Sequence, residues 1–550
     1  MTVRQIAGRS GSRGTVVDVL RAAAEKDPEA EAYVEMATPG SSAVVARATD
    51  GKRRLTFGQW DAAAEAVAGQ LAERVVHRGD VVCLLLPSSI DYAVCYQAAA
   101  RLGAVTSGLN LRLGLAEKRA ILGRLRPKVT VADTGLVDAG ELAHSAGTVL
   151  ARTELTPLAT SGTAGGGVRQ PALHDDDPVC VVWTSGSTGV PKGAVFDHRN
   201  LQAVAAGTDV LSRPGDRRLS PLPFAHVGYM TRQWDEIAHG ITTVVTPHPW
   251  SAESAIALMA GERVTVGQGV PTQWALVLRH PDLNGADLSA LRIAGTGGAR
   301  VPVELVRQMR RRLRCPVVVR YTSTETSLGT GTQPDDPEEV VCGSVGRPVP
   351  GVELTVVDEN GAIVPAGEVG RVRLRSAAVM RGYAGTGAGI DRPATDSVLD
   401  AAGWLTTGDM GWIGPDGNLR LVGRASEMYI RGGYNVYPSE VETVLRSHPA
   451  VKEVAVVGVG DPVLGEIGVA FVVPAEVPGR SAGGSQTGPT LDELRQWSVR
   501  QLADYKAPDR LVSLAELPLT AMGKVDLAQL RQMAAAGLGE QLSATTKGNR

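Results

Sequence analysis

The chain has 550 residues, a formal net charge of −2, 43% hydrophobic and 21% charged residues. That length overfills a single hydrophobic core, so several domains are expected, and the near-neutral charge excludes an electrostatic case for nucleic acid or an anionic membrane as partner. Aromatic residues make up 4% of the chain, which argues against stacking platforms for single-stranded nucleic acid. From the N-terminus, "MTVRQIAGRSGSRGTVVDVL" lacks the apolar core of a secretory signal. "TVVDVLRAAAEKDPEAEAYV" has helical spacing followed by a strand, and "TFGQWDAAAEAVAGQLAERVV" reads as an amphipathic helix capped by Thr56. "GDVVCLLLPSSIDYAVCYQAAARLGAV" reads as strand, turn and helix, with an apolar run far too short to span a bilayer. "KVTVADTG" and "VTVGQGVPT" continue the alternation of short β-branched runs with longer helical ones. Such alternation builds parallel α/β layers, which bind ligands at the carboxyl ends of their strands.

Two segments, "ATSGTAGGGVRQ" (159–170) and "VPGRSAGGSQTGPT" (477–490), read as surface loops. Between about residues 350 and 425 the pattern turns to short alternating strands with turn dipeptides, a small β-rich subdomain. A compact α+β segment of about 125 residues follows. The five cysteines (Cys83, Cys95, Cys180, Cys315, Cys342) form no CxxC pair and read as reduced thiols packed as small hydrophobes. The expected location is the cytoplasm. "RQMRRRLRC" reads as a solvated helix face, and Asp175, Asp176 and Asp177 as a surface turn with no metal.

The stretch "VVWTSGSTGVPKGAVFDHRN" concentrates glycines, hydroxyls and one lysine between two ordered segments. Gly186 and Gly189 allow close backbone approach, Ser185, Ser187 and Thr188 offer hydroxyls, and Lys192 supplies charge: ingredients for phosphate. The spacing fails G-x-x-x-x-G-K-[ST], so a Walker loop is excluded.

This stretch, with Thr184 to Lys192 at its centre, resembles the phosphate loop of the ANL superfamily of adenylate-forming enzymes, and further motifs in the same order resemble those of its acyl-CoA synthetases. The resemblance runs from about residue 15 to about residue 535. It implies an α/β fold: a large N-terminal domain (1–425) of parallel sheets plus a small β-barrel-like subdomain, and a small mobile α+β C-terminal domain (426–550). "PLPFAHVGY" implies that His226, with Gly228, borders the acyl pocket. "GTGGAR" implies that Gly295 and Gly297 line that pocket and that Gly298, Ala299 and Arg300 border adenine; Gly269 is assigned to the pocket as well. "RYTSTET" implies Tyr321 on adenine, Thr324 on the α-phosphate and Glu325 on Mg²⁺, while Thr322 stands where the family has glycine and adds bulk beside the acyl group. "GWLTTGDMGWIGPDGNLRLVGR" implies Asp409 on the ribose hydroxyls and Arg424 on ribose or phosphate. "GRASEMYIRGGYNVYPSEVE" implies a hinge at Ser426, where the family usually has Asp or Lys, and a coenzyme A loop at Gly432 and Gly433. Glu440 and Glu442 open the next helix, a place that favours acids anyway. "LPLTAMGKVD" implies that Lys524 bridges the acyl carboxylate and the α-phosphate.

The reaction so implied joins a carboxylic acid to coenzyme A through acyl-AMP, using ATP and Mg²⁺, with catalysis at Lys524, Glu325, Thr324 and His226. The absence of evident charge near His226, with Gly267, Gly269, Gly295 and Gly297, points to an apolar fatty, aromatic or alicyclic acid, although Asp235 lies close by in sequence. Transfer of acyl-AMP to a carrier protein or partner ligase is the alternative within the family, with an oxygenase or a non-catalytic binding protein behind it, and a homodimer is compatible with all of them.

Overall fold

The computed structural model describes residues 14–38, 40–44, 50–137, 146–155, 171–184, 191–475, 488–520 and 524–547, with backbone alone for 538–547. The first loop read from sequence, 159–170, lies outside the described residues, as does most of the second. The chain divides into two compact units. One comprises residues 1–355, 373–407 and 416–419, the other 356–372, 408–415 and 420–550.

The first unit holds two α/β sheets. In the eight-stranded sheet the order is Ile390–Asp391, Gly382–Ala384, Lys192–Asp197, Pro178–Thr184, Val105–Gly108, Val81–Leu85, Val129–Ala132 and Thr148–Ala151. Its five strands from Pro178–Thr184 to Thr148–Ala151 run parallel. Val81–Leu85 is buried along its whole length, as a strand covered on both faces must be. Helix Ile90–Arg101 covers it and is wholly buried, Arg101 included; that arginine pairs with Asp61 and Glu65.

The nine-stranded sheet contains a parallel run in the order Val317–Tyr321, Ile293–Gly297, Val266–Gly269, Arg217–Ser220, Thr242–Val245 and Glu31–Met36. The sequence-level elements fall in place: helix Val16–Lys26 is capped by Thr15, and helix Phe57–Glu73 starts after Thr56, whose side chain accepts from the Gln59 amide while Gln59 reaches back to the Thr56 amide. Such a reciprocal cap satisfies two amides that the first turn leaves without partners. The fold is the mixed α/β architecture expected, with large parallel sheets and a smaller C-terminal portion.

The strands Glu353–Val357, Gly370–Arg375, Leu405–Ile413 and Leu419–Arg424 form a four-stranded sheet in the 350–425 region, with residues assigned to both units. In the second unit, Val451–Asp461 and Gly465–Pro474 pair antiparallel over ten residue pairs, with a register shift between Val451 and Glu453, and Arg510–Ser513 adds in parallel. Helix Pro438–Arg446 packs on this sheet through Val441 and Leu445.

Helix Val303–Leu313 turns Arg307 and Arg311 outward, to Glu338 and Glu304, while Arg310 is partly buried. Of the three acids in the 175–177 turn, Asp176 is exposed, while Asp177 is buried, pairs with Arg78 and accepts from the His174 amide. All five cysteines are free thiols, four of them buried. Among the described residues no helix is long and apolar enough to cross a membrane.

Candidate active site

Four neighbouring parallel strands of the nine-stranded sheet end together: Arg217–Ser220, Val266–Gly269, Ile293–Gly297 and Val317–Tyr321. The segments leaving those ends carry His226, Val270, Gly298 and the run Thr322–Glu325. Carboxyl strand ends in such sheets leave a crevice where backbone amides and side chains converge.

His226 caps the short helix Val227–Met230, its Nδ1 accepting from the Gly228 amide at 3.1 Å. The helix is anchored from behind. Tyr229 stacks on Phe224 with ring centroids 3.5 Å apart, its hydroxyl meets that of Tyr33 at 3.0 Å, and Tyr96 donates to the Met230 carbonyl. The imidazole therefore stands on a rigid base.

Trp274, which carried no signal in the sequence, ties the strand ends together. Its Nε1 donates to the Gly295 carbonyl at 3.1 Å, and its neighbour Gln273 donates to the Pro221 carbonyl. A Cβ on Gly267 would lie 2.9 Å from the Trp274 ring and one on Gly269 3.1 Å. A Cβ on Gly297 would collide with the Arg320 carbonyl. These glycines serve close packing of ring and backbone. Gly298 has φ +74° and, with Ala299 and Arg300, is exposed beyond the strand end.

Tyr321 is buried at the end of its strand, paired with Thr330. Beyond it, Thr322 Oγ1 reaches the Ser323 carbonyl and Thr326 Oγ1, and Thr324 and Glu325 lie in the turn that follows. The Glu325 carboxylate accepts from the Tyr383 hydroxyl at 2.8 Å, and its backbone carbonyl accepts from the Met380 amide. Lys192 Nζ stands 5.1 Å from the centroid of the same Tyr383 ring, within cation–π range. Lys192 pairs with Thr184 at the end of an antiparallel ladder; Ser185, Gly186, Ser187, Thr188 and Gly189 lie outside the described residues. Tyr383, also absent from the sequence reading, links the lysine to the carboxylate.

Asp235 proves to be structural. It is fully buried and engaged by Thr208, Ser212, Arg218 and His239 at 2.9–3.2 Å. Burial alone would raise its pKa, yet Arg218 and His239 hold the carboxyl well below the ordinary range.

In the second unit a separate polar group gathers. Asp409, on Leu405–Ile413, lies 3.2 Å from Arg424, at the end of Leu419–Arg424. The Lys524 ammonium stands in the field of Arg424, Asp409 and Glu427. Desolvation first, then Arg424, lowers its pKa, with Asp409 and Glu427 opposing. Ser426 is exposed in the turn Ala425–Glu427, where the amides of Glu427 and Met428 bond back to the Arg424 carbonyl. Gly432 and Gly433 form the two-residue turn between strands Tyr429–Arg431 and Tyr434–Val436, with φ +56° and +87°. A tight hairpin of this kind requires positive φ at both positions, which glycine adopts at least cost. Glu440 pairs with Lys506 at 2.6 Å, and Glu442 accepts from the Val456 amide, so both acids brace this unit.

Among the described residues no cluster of three or more metal-ligating side chains occurs. Mg²⁺ binds through one or two carboxylates together with substrate phosphates; a single acid, Glu325, at a strand-end crevice suits that donor set.

Residues 20–384 match the model of the AMP-binding enzymes and residues 440–524 that of the AMP-binding enzyme C-terminal domain. The chain is 35% identical over 499 residues to an indoleacetate–CoA ligase of Aromatoleum aromaticum, covering 88% of this chain and 94% of the relative. It is 31% identical over 531 residues to the long-chain-fatty-acid–CoA ligase FadD13 of Mycobacterium tuberculosis, covering 94% and 98%. Among solved structures, o-succinylbenzoate CoA synthetase (MenE) of Bacillus subtilis, in complex with the acyl-adenylate OSB-AMP, superposes with a TM-score of 0.77 at 26% identity, covering 94% of this chain and 97% of that one.

Proposed function

The chain belongs to the AMP-binding enzymes of the ANL superfamily, and from that premise we propose that it is an acid–thiol ligase: it adenylates a carboxylic acid with ATP and passes the acyl group to coenzyme A. A carboxylate cannot expel oxide, so it must first gain a better leaving group. Its oxygen attacks the α-phosphorus of ATP, the bond to the β-phosphate oxygen breaks, and pyrophosphate leaves. A thiolate then attacks the acyl carbonyl, and AMP leaves with the carboxylate oxygen.

The residues are assigned as follows. The loop Thr184–Lys192 grips the phosphates that depart as pyrophosphate, with Lys192 as its cation. Tyr321 stacks on adenine beside Gly298, Ala299 and Arg300, and Thr324 contacts the α-phosphate. Asp409 accepts both ribose hydroxyls, as a two-oxygen carboxylate can, and Arg424 faces ribose or phosphate. His226 marks the border of the acyl pocket, with Gly228, Gly269, Gly295, Gly297 and Thr322. Lys524 bridges the acyl carboxylate and the α-phosphate, where fixed positive charge favours the transition state. Mg²⁺, held through Glu325, supplies charge neutralisation on the phosphates. The small domain begins at about residue 426; it turns about Ser426 between the half-reactions, withdrawing Lys524 and presenting Gly432 and Gly433 to the thiol, by the logic of hinge closure. The acid has an apolar fatty, aromatic or alicyclic body, as the names of the indoleacetate and fatty-acid ligases suggest.

The observation that carries this reading is the convergence of Lys192, Tyr383 and Glu325 beside the four strand ends, which sets a cation and a carboxylate against one ring. The test is acid-dependent pyrophosphate release, with and without coenzyme A. Acyl-AMP formation without any thioester would move the acceptor to a carrier protein or partner ligase; unchanged pyrophosphate exchange in Lys524→Ala would overturn the adenylation assignment.

A further inference from the structure

A buried charge cluster lies behind the segment that carries His226. Arg218 pairs with Asp235 and donates to the Leu211 carbonyl and Ser212. Arg320 pairs with Asp209, which also accepts from Gln333. Each of these arginines has a carboxylate of its own. Arg232 does not: among the described residues its one ion pair is to Asp235 at 4.0 Å, beyond hydrogen-bond reach, and the Asp235 oxygens are already engaged by Thr208, Ser212, Arg218 and His239. The Arg232 side chain is 19% exposed. Burial, with Arg218 and Arg320 nearby, pulls its pKa below the ordinary arginine value, against Asp235 and Glu236. Arg320 Nε is likewise buried with no hydrogen-bond partner among the described residues.

Arg232 and Arg320 line a small open cleft of about 40 Å³ with Asp209, Leu211, Thr322, Leu328 and Val349; the Asp209 carboxylate there is taken up by Arg320. The cleft adjoins the proposed acyl site directly. Thr322 belongs to both, and a Leu211 methyl lies 3.4 Å from where Gly295 would carry a Cβ.

We propose that the acid activated here carries a second anionic group, a carboxylate or sulfonate, at the end remote from the reacting carboxylate, and that Arg232 holds it. The proposal rests on the adenylation reading and narrows its substrate class. The cleft, about 40 Å³, takes the anionic end alone, flanked by Leu211, Leu328 and Val349, while the apolar body lies in the adjoining acyl site; the far oxygens meet a planar guanidinium whose paired N–H groups match them. A methyl-terminated acid would leave that desolvated cation facing hydrocarbon, which a buried polar group does not tolerate without cost.

The test uses acid pairs that differ only at the far end: octanedioate against octanoate, and the para-carboxy derivative of phenylacetate against phenylacetate. Values of kcat/KM for pyrophosphate release are compared in the wild-type chain, Arg232→Met and Arg232→Lys. The wild type is expected to favour the acid-terminated member by about 10- to 100-fold, the range of a charge-assisted hydrogen bond. Arg232→Met erases that ratio, and Arg232→Lys restores part of it. Because the ratio is taken within each protein, a loss of folded fraction cancels. A wild type that favours the methyl-terminated member of both pairs, or an Arg232→Met chain with an unchanged ratio, overturns the proposal and leaves adenylation standing. Failure of every acid to release pyrophosphate overturns both.

Discussion

The phenolic hydroxyl of Tyr383 donates to Glu325 Oε1 at 2.8 Å, joining the strand Gly382–Ala384 of one sheet to the turn that follows Val317–Tyr321 of the other. Burial, and then the carboxylate itself, raises the phenol's pKa far above its ordinary value, so it remains a donor at any working pH. Partners that orient a metal-binding carboxylate typically contribute about 10- to 100-fold in affinity or activity. Tyr383→Phe keeps the ring under Lys192 and removes only the hydroxyl. With Glu325 holding Mg²⁺ as proposed, it is expected to raise the Mg²⁺ concentration for half-maximal pyrophosphate exchange about 10-fold, with a smaller change in KM for the acid. A Mg²⁺ titration of the exchange rate reads this directly, and an unchanged midpoint would remove Tyr383 from the positioning of Glu325.

Lys524 works as an ammonium in the proposed adenylation step, so its proton must be present. Its pKa lies below the ordinary lysine value, through desolvation first and Arg424 next. The active form is the protonated one, so the rate is lost as pH rises through that lowered value, earlier than for an unperturbed lysine. Asp409→Asn removes a carboxylate that raises the lysine's pKa and is expected to move the alkaline limb to still lower pH. Lys524→Arg, charged throughout the accessible range, is expected to flatten it. The measurement is the pH profile of single-turnover acyl-AMP formation.

Much of this site was legible because it is written in local signals. Thr56 announces a helix start, and the motif residues recur in a fixed order; that Gly432 and Gly433 form a two-residue hairpin turn emerged from the structure. Tyr383, Trp274 and Arg232 were not legible. Tyr383 matters through Glu325 and Trp274 through the Gly295 carbonyl, both distant along the chain; Arg232 stands out only because, among the described residues, its one ion pair is to an Asp235 already engaged by other groups. Asp235 drew attention as an acid near His226, but only tertiary packing reveals that Arg218, Ser212 and Thr208 already occupy its oxygens. Gly267 and Gly269 entered the sequence reading as glycines compatible with an apolar acid, and the structure adds that each also packs against the Trp274 ring.

That ring gives a stability test. A Cβ at Gly267 would stand 2.9 Å from Trp274 and 3.3 Å from Leu291, both buried in one apolar cluster. Overpacked cores lose about 1–3 kcal/mol as neighbours leave their rotamers, so Gly267→Ala is expected to lower Tm. Trp274→Leu opens room at the same place at its own cost. The double variant is expected to lose less than the two single losses together, as contacting residues couple. Strict additivity in thermal unfolding would show that Gly267 is not kept small for the indole.

Glu236 provides the pH test of the buried cluster. Burial pushes its carboxyl up to about 7, with Arg218 opposing and Asp235 reinforcing, and Oε2 has no hydrogen-bond partner among the described residues. The folded chain thus holds this proton to higher pH than the unfolded chain, whose ordinary value is 4.5. Stability from this group is fully present below the unfolded value and is lost as pH rises to the folded value, because the unfolded state then binds fewer protons. Asp235, held low by its cationic partners despite burial, has the opposite sign and titrates at more acid pH, outside this window. Glu236→Gln keeps the shape and removes the titration. Its Tm relative to wild type is expected to climb between about pH 5 and about pH 7 and level off above. A Tm difference that stays flat across that range would mean that Glu236 is already ionised in the folded chain at pH 5, paired with Arg218 more tightly than their 3.5 Å separation suggests.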